Sequence, residues 1–215
     1  MPNFTDLAGL ASVASAAAAA VLLLPGIARS STWPVLSKAE GLGEGVSGSR
    51  QAVLMGIVFV LMLIPYGKLP LAAYLRGMSG DLSITTQVLL WSVVLTPWFG
   101  NDRDIRKGRR KLLFLVASAG LLLYPLALGL GAFDPYRLGY GDPLFVAALL
   151  LIALAAWMWK QYLIALCIAF SILGWTIGWY ESDNLWDFLL DPWAAIYALF
   201  ALVSHGLRMI SRGEQ

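Results

Sequence analysis

Carboxylates are the one reactive group that this 215-residue chain concentrates. The stretch ESDNLWDFLLDPW carries Glu181, Asp183, Asp187 and Asp191, and a second stretch, FDPYRLGYGDP, carries Asp134, Arg137 and Asp142. Oxygen ligands of this kind hold Mg²⁺ or Ca²⁺. Asp187 and Asp191, spaced i, i+4, share one face of any helix that runs through both. Read functionally, Asp187, Asp191 and Glu181 are the catalytic candidates, and Asp134, Arg137 and Asp142 are binding candidates beside them. The same residues also have an architectural reading. Asn184 is suited to an N-cap with Asp187 at N3, which gives a short interfacial helix. Asp191-Pro192, Asp142-Pro143 and Asp134-Pro135 each place a capping carboxylate before a proline suited to N1. Amide substitutions at Asp187 and Asp191 separate the two readings, because Asn also caps well whereas charge or metal binding is lost.

The rest of the inventory is narrow. The basic run NDRDIRKGRRK, a cytoplasmic loop in this reading, offers Arg106, Lys107, Arg109 and Arg110 to anionic lipid head groups, and it also serves as a topological determinant. A single histidine, His205, and a single cysteine, Cys167, build neither a bis-histidine haem site, nor a zinc site, nor a disulfide within one chain. The glycine-rich KAEGLGEGVSGSR lacks the βαβ context of a phosphate-cradling loop and reads as a flexible linker. Nucleic-acid binding would need a folded basic platform interleaved with aromatics, and no such pattern is present.

These groups must be positioned by apolar elements. Hydrophobic residues make up 59% of the chain and charged residues 13%, with a mean hydropathy of +0.73. That composition belongs in a bilayer. Seven runs approach the length of a membrane span: Asp6 to Ala28, Gln51 to Tyr66, Ser83 to Phe99, Lys111 to Phe133, Pro143 to Trp159, Gln161 to Tyr180 and Pro192 to Leu207. The expectation is one all-α domain over residues 1–215, a polytopic bundle of about seven helices, or six if the first segment is a cleaved signal. Only Lys160 and Gln161 separate the fifth run from the sixth, so these two must form a tight hairpin. Pro125 should kink the fourth, and Gly174 with Gly178 forms a GxxxG pattern that favours close helix packing.

Positive charge orients such a bundle. Alternation puts twelve Lys/Arg on the side of the basic run and three, Lys68, Arg76 and Arg137, on the other. Both acidic connections then face outward, with the N-terminus outside and the C-terminus cytoplasmic. Tryptophans agree: Trp98, Trp157 and Trp159 fall near the inner face and Trp175, Trp179, Trp186 and Trp193 near the outer, leaving mid-span Trp91 to pack between helices. No ionisable residue lies near the middle of a proposed span, which argues against a proton-coupled carrier.

The segments YLRGMSGDLSITTQVLLWSVVLTPWFG (Tyr74 to Gly100) and RRKLLFLVASAGLLLY (Arg109 to Tyr124) resemble the haem-binding membrane subunit of bacterial methionine-sulfoxide reductase systems, a ferric-reductase-like family. Ser79-Gly80, Thr96-Pro97 and Arg109-Arg110 carry the likeness. In that family a haem-ligating histidine lies about four turns into the span after the basic loop; here Leu123 takes that place, and the later ligand histidines have no counterparts. The resemblance therefore implies a haem-less relative, without cofactor or metal. The function expected is a non-catalytic accessory or scaffolding subunit of a membrane or envelope complex in the inner membrane. Its partners would be membrane lipids and a membrane protein or a second copy, with no nucleic acid. An outward-facing acidic enzyme or lipid-handling protein is the alternative, and an uncoupled channel or facilitator a further one.

Overall fold

The computed structural model describes residues 4–22, 44–95 and 102–213, with side chains for 4–21, 53–95 and 105–204. Arg29, Lys38, Thr96, Pro97 and Trp98 lie outside the described residues, as do the side chains of Arg50, Arg103, His205, Arg208 and Arg212. Within the described residues the chain is mostly helical: α1 (Phe4–Leu22), α2 (Glu44–Leu63), α3 (Leu71–Ser79), α4 (Ile84–Leu95), α5 (Asp102–Ala127), α6 (Pro143–Met158), α7 (Tyr162–Thr176), α8 (Leu185–Leu189) and α9 (Pro192–Gly213), with a 3₁₀ turn at Pro135–Gly139. Seven of these coincide with the seven apolar runs. The all-α expectation needs one addition, a two-residue antiparallel ladder in which Pro65 faces Pro70 and Tyr66 faces Leu69. Gly67, at φ 75°, supplies the left-handed residue that a two-residue hairpin turn requires.

Several boundaries differ from the sequence reading: α2 ends at Leu63 and not Tyr66, α7 at Thr176 and not Tyr180, and α9 continues past Leu207 to Gly213. The second half of the glycine-rich linker is already helix, because α2 starts at Glu44. The basic run is likewise helix and not loop: it forms the first turns of the 26-residue α5, as expected of Arg and Lys, which are good helix formers. That helix ends at Ala127, not Phe133, so Pro125 falls in its last turn and not in its middle. Among the described residues two stretches, Phe4–Val21 and Ile105–Ala127, are long and apolar enough to cross a membrane; Val53–Leu63, Ile84–Leu95, Pro143–Met158, Tyr162–Thr176 and Pro192–Ser204 are shorter.

The chain divides into two compact units, Met1–Leu82 with Leu89–Asp102, and Ser83–Val88 with Arg103–Gln215. In the first, α1 offers an alanine face. Ala14, Ala18 and Ala19 are fully buried. Val13, Ala14 and Ala72 form one cluster with Leu10, Phe59 and Met62 around it; Ala19 and Val94 form another with Met55, Leu90 and Trp91. Met55 thus meets the end of α1 that lies farther from Phe4, and Phe59 and Met62 meet its middle, so α1 and α2 run antiparallel. Small side chains allow the close approach that supplies dispersion contacts. Trp91 packs between helices, as expected.

In the second unit α6 and α7 form the predicted hairpin. A Cβ on Gly120 would lie 2.8 Å from Ala195 Cβ, so α5 and α9 meet where neither has bulk. The ends of α5, α6 and α7 share one geometry. Leu130 N–H donates to Pro125 O and Gly129 N–H to Leu126 O; Gln161 N–H donates to Ala156 O and Lys160 N–H to Trp157 O; Trp179 N–H donates to Gly174 O and Gly178 N–H to Trp175 O. These are three Schellman caps, each with a left-handed residue at its centre: Gly129 (φ 86°), Lys160 (φ 57°) and Gly178 (φ 63°). The GxxxG pattern therefore divides. Gly174 stays in α7 and packs against Ile84 and Phe188, whereas Gly178 terminates the helix and has open space around it.

Because no neighbour crowds Gly178, Gly178→Ala carries only the backbone penalty and lowers stability by about 1 kcal/mol. Lys160 already bears that penalty, so Lys160→Gly raises stability by up to about 1 kcal/mol. Thermal unfolding of the two variants in detergent should show midpoint shifts of opposite sign.

Candidate functional site

Both acidic stretches start helical elements, and the caps expected from sequence are made. Trp186 N–H donates to Asn184 Oδ1 at 2.9 Å, Tyr136 N–H to Asp134 Oδ1 at 2.9 Å, Phe145 N–H to Asp142 Oδ1 at 2.9 Å and Ala194 N–H to Asp191 Oδ1 at 2.8 Å. Pro135, Pro143 and Pro192 each hold the first helical position behind their aspartate, where a missing N–H costs nothing.

Asp187 and Asp191 do not share a helix face. Leu190 is extended (φ −146°, ψ 134°), which ends α8 between them. Asp187 turns instead to the 3₁₀ turn: Tyr136 Oη donates to it at 2.8 Å, and Ser182 Oγ donates at 2.5 Å. Asn184 Nδ2 donates to Tyr136 O at 3.0 Å, and Trp186 Nε1 donates to Pro135 O at 3.0 Å. The Trp186 ring lies 4.8 Å from that of Phe145. The two acidic connections are thus clamped together at the ends of α6 and α8. Gly139 is required there, since any Cβ would collide with the Asn184 amide. Glu181 and Arg137 are exposed; Asp134 and Asp142 are half-buried.

Asp191 is the buried member, 4% exposed. While its Oδ1 caps α9, its Oδ2 accepts from Ser83 N–H at 3.0 Å, from Ser83 Oγ at 2.7 Å and from Thr86 Oγ1. Ser83 is itself the N-cap of α4, since Thr86 N–H donates to Ser83 Oγ at 3.2 Å. In a capping box the N3 side chain reaches back to the N-cap N–H; here that acceptor comes from a different helix, 108 residues on. One carboxylate therefore caps two helices. The signal for α4 was legible as Ser83-Ile84-Thr85-Thr86 ahead of an apolar run, but its partner was not.

α8 fixes the layer from beneath. Leu185 and Phe188 are fully buried, Ser171 Oγ donates to Phe188 O at 2.9 Å, and the Tyr180 and Phe188 rings lie 5.1 Å apart. Among the described residues no group of three or more His, Cys, Asp or Glu side chains is placed to hold a metal ion. Leu123, at the position of the haem ligand in the resembled family, is buried in α5 at 3% exposure. Arg106, Lys107 and Arg110 are exposed on the basic first turns of α5, and Arg109 is half-buried.

No family model, curated protein or solved structure matches the chain. What the acids do must therefore be argued from their geometry. Asp134, Asp142, Asp187 and Asp191 accept hydrogen bonds from the protein itself, as helix caps and as clamps between segments.

The Asn test sharpens with this geometry. Asp142 only caps, so Asp142→Asn shifts stability by less than about 0.5 kcal/mol. Asp191 cannot be replaced by Asn without turning an amide N–H₂ toward its donors or losing the α9 cap, which costs about 1–3 kcal/mol. Unfolding midpoints of the two variants in detergent should differ accordingly. Burial first, then the hydrogen bond to Asp187, holds the Tyr136 hydroxyl above its ordinary range. Its folded pKa exceeds its unfolded value near 10, so its contribution is complete below about pH 10 and is lost as pH rises through the folded value. Above about pH 10 the wild type should lose stability more steeply than Tyr136→Phe in alkaline unfolding.

Proposed function

We propose that this chain is a multi-pass inner-membrane protein that acts as a non-catalytic accessory or scaffolding subunit of a membrane complex. The observation that carries the reading is how its polar groups are used: the acids cap and clamp helix ends, while the helix flanks are apolar and outward. On α6, Leu144, Leu150, Leu151, Ile152 and Leu154 are all at least half exposed, and on α9 Ile196, Tyr197, Phe200 and Val203 are at least 60% exposed. Contiguous apolar surface of that extent needs lipid or protein over it. The core helix of a soluble protein would be mostly buried, whereas Ile105–Ala127 is 28% buried.

Proximities within each unit support the threading from the positive-inside rule, with the N-terminus outside and the C-terminus cytoplasmic. Arg76 pairs with Asp6 at 3.4 Å, joining two segments assigned to the outer side. Ser83 meets Asp191, and the Asp134 turn meets α8, all outer assignments. Gly108 packs against Leu163, both inner assignments. The basic face of Arg106, Lys107 and Arg110 then lies at the level of anionic head groups on the cytoplasmic side.

The enzyme alternative draws less support, since Asp187 and Asp191 face different partners. The relationship to the haem-binding subunit family is part of the same proposal, in its haem-less form: Leu123 offers iron no ligand, and the purified protein should show no Soret absorption. Affinity purification from membranes in mild detergent, followed by mass spectrometry of a single size-exclusion peak, tests the accessory role. A stoichiometric membrane partner is the expected result. A protein that runs alone would overturn it.

A further inference from the structure

We propose that the Pro65–Pro70 hairpin and α3 form a shallow re-entrant wedge in the outer leaflet, with the Leu71, Tyr74, Leu75 and Met78 face of α3 against lipid. This inference rests on the membrane reading above.

α1 sets the depth of α3. Ala72, in the first turn of α3, packs with Val13 and Ala14. Arg76, one turn later, reaches back to Asp6, and its guanidinium lies across Gly9, where a Cβ would be 2.6 Å from it. Between Ala72 and Arg76, four residues that rise about 6 Å along their own helix, the contacts of α3 shift from residues 13–14 of α1 to residues 6–9, the last part of that reach being the length of the Arg76 side chain. A helix lying flat on the surface would stay at one level. α3 instead rises beside α1 from that depth and emerges at the Arg76 and Asp81 pair, whose closest approach is 2.6 Å.

The occupant follows from charge and continuity. Leu71, Tyr74, Leu75 and Met78 recur at i, i+3, i+4 and i+7, one face of a helix, and are 40%, 44%, 36% and 84% exposed. The cation of α3 is turned away from that face and neutralised by Asp6 and Asp81. The exposed stripe of α2, Ile57, Val60 and Leu61, continued by Ile64 just past the helix end, leads directly into the hairpin. Tyr66 and Tyr74 are exposed beside it, with Tyr74 Oη donating to Tyr66 O, as suits rings at the head-group boundary. Lys68, at the hairpin tip, has a stem long enough to snorkel.

Collisional accessibility of spin labels tests this on the full chain in phosphatidylcholine and phosphatidylglycerol vesicles. In a Cys167→Ala background, labels are placed at Met78→Cys, at Leu71→Cys and, as a control on α6, at Leu151→Cys. Oxygen should exceed a water-soluble nickel chelate severalfold at all three, and the ratio should be higher at position 71 than at 78. If position 151 reports lipid but 71 and 78 admit the chelate, or exclude both reagents as under a protein partner, the wedge is overturned and the membrane reading stands. Equal ratios at 71 and 78 overturn the re-entrant slope of α3. Free chelate access at 151 overturns both.

Discussion

A helix start leaves backbone N–H groups without partners, and where water is scarce something in the protein must supply the acceptors. Asp191 meets that constraint for two helices at once. Its two oxygens divide between the first turn of its own helix and the cap of α4. The position of α9 against the start of α4 is thereby fixed through directional bonds to a buried group, which apolar contact alone would not specify. Gly120 against Ala195 and Gly174 against Ile84 then set how closely the neighbouring helices approach. A hydrogen bond to a charged acceptor contributes roughly 1.5–3 kcal/mol, against about 1 for an ordinary one, so this node outweighs any single contact around it.

This division of labour matters most if the outward faces meet lipid. Hydrocarbon chains are as apolar as leucine, so burying leucine between helices gains little from solvent exclusion in a bilayer. Specificity then falls to close packing of small residues and to hydrogen bonds at helix ends. The molecule is rich in both: an alanine face on α1, Schellman caps on three helices and carboxylate caps at the acidic turns. Acids used this way are held in fixed geometry by protein donors, which is the opposite of a carboxylate kept ready for substrate.

Much of this was legible in the sequence because capping is local. Asn184, Asp134, Asp142 and Asp191 announce themselves by residue type and a following proline or apolar run, and Lys160-Gln161 announces its hairpin by the absence of room for anything longer. What sequence could not supply was contact between distant segments. Nothing near Tyr136 indicates that its hydroxyl meets Asp187, and nothing near Ser83 indicates Asp191. Hydropathy alone overruns helix ends where stronger punctuation intervenes: Gly129 stops α5 although apolar residues continue to Phe133. The start of α5 differs in the other direction, since the charged run is helix and Arg and Lys extend helices readily. α3 and its hairpin escaped notice because nine residues are too few for a span and their apolar spacing emerges only once Ala72 and Arg76 are seen to face α1.

The long sequence separation between Ser83 and Asp191 bears on how the chain is made. α4 leaves the ribosome long before its acceptor exists, so the N–H and hydroxyl of Ser83 must find water or another temporary partner while α5 to α8 are synthesised. The first turn of α4 can settle only when α9 arrives. α9 thus also completes a helix made much earlier, and a chain halted before Asp191 would carry an unfinished helix start, a recognisable mark of incomplete synthesis for cellular quality control.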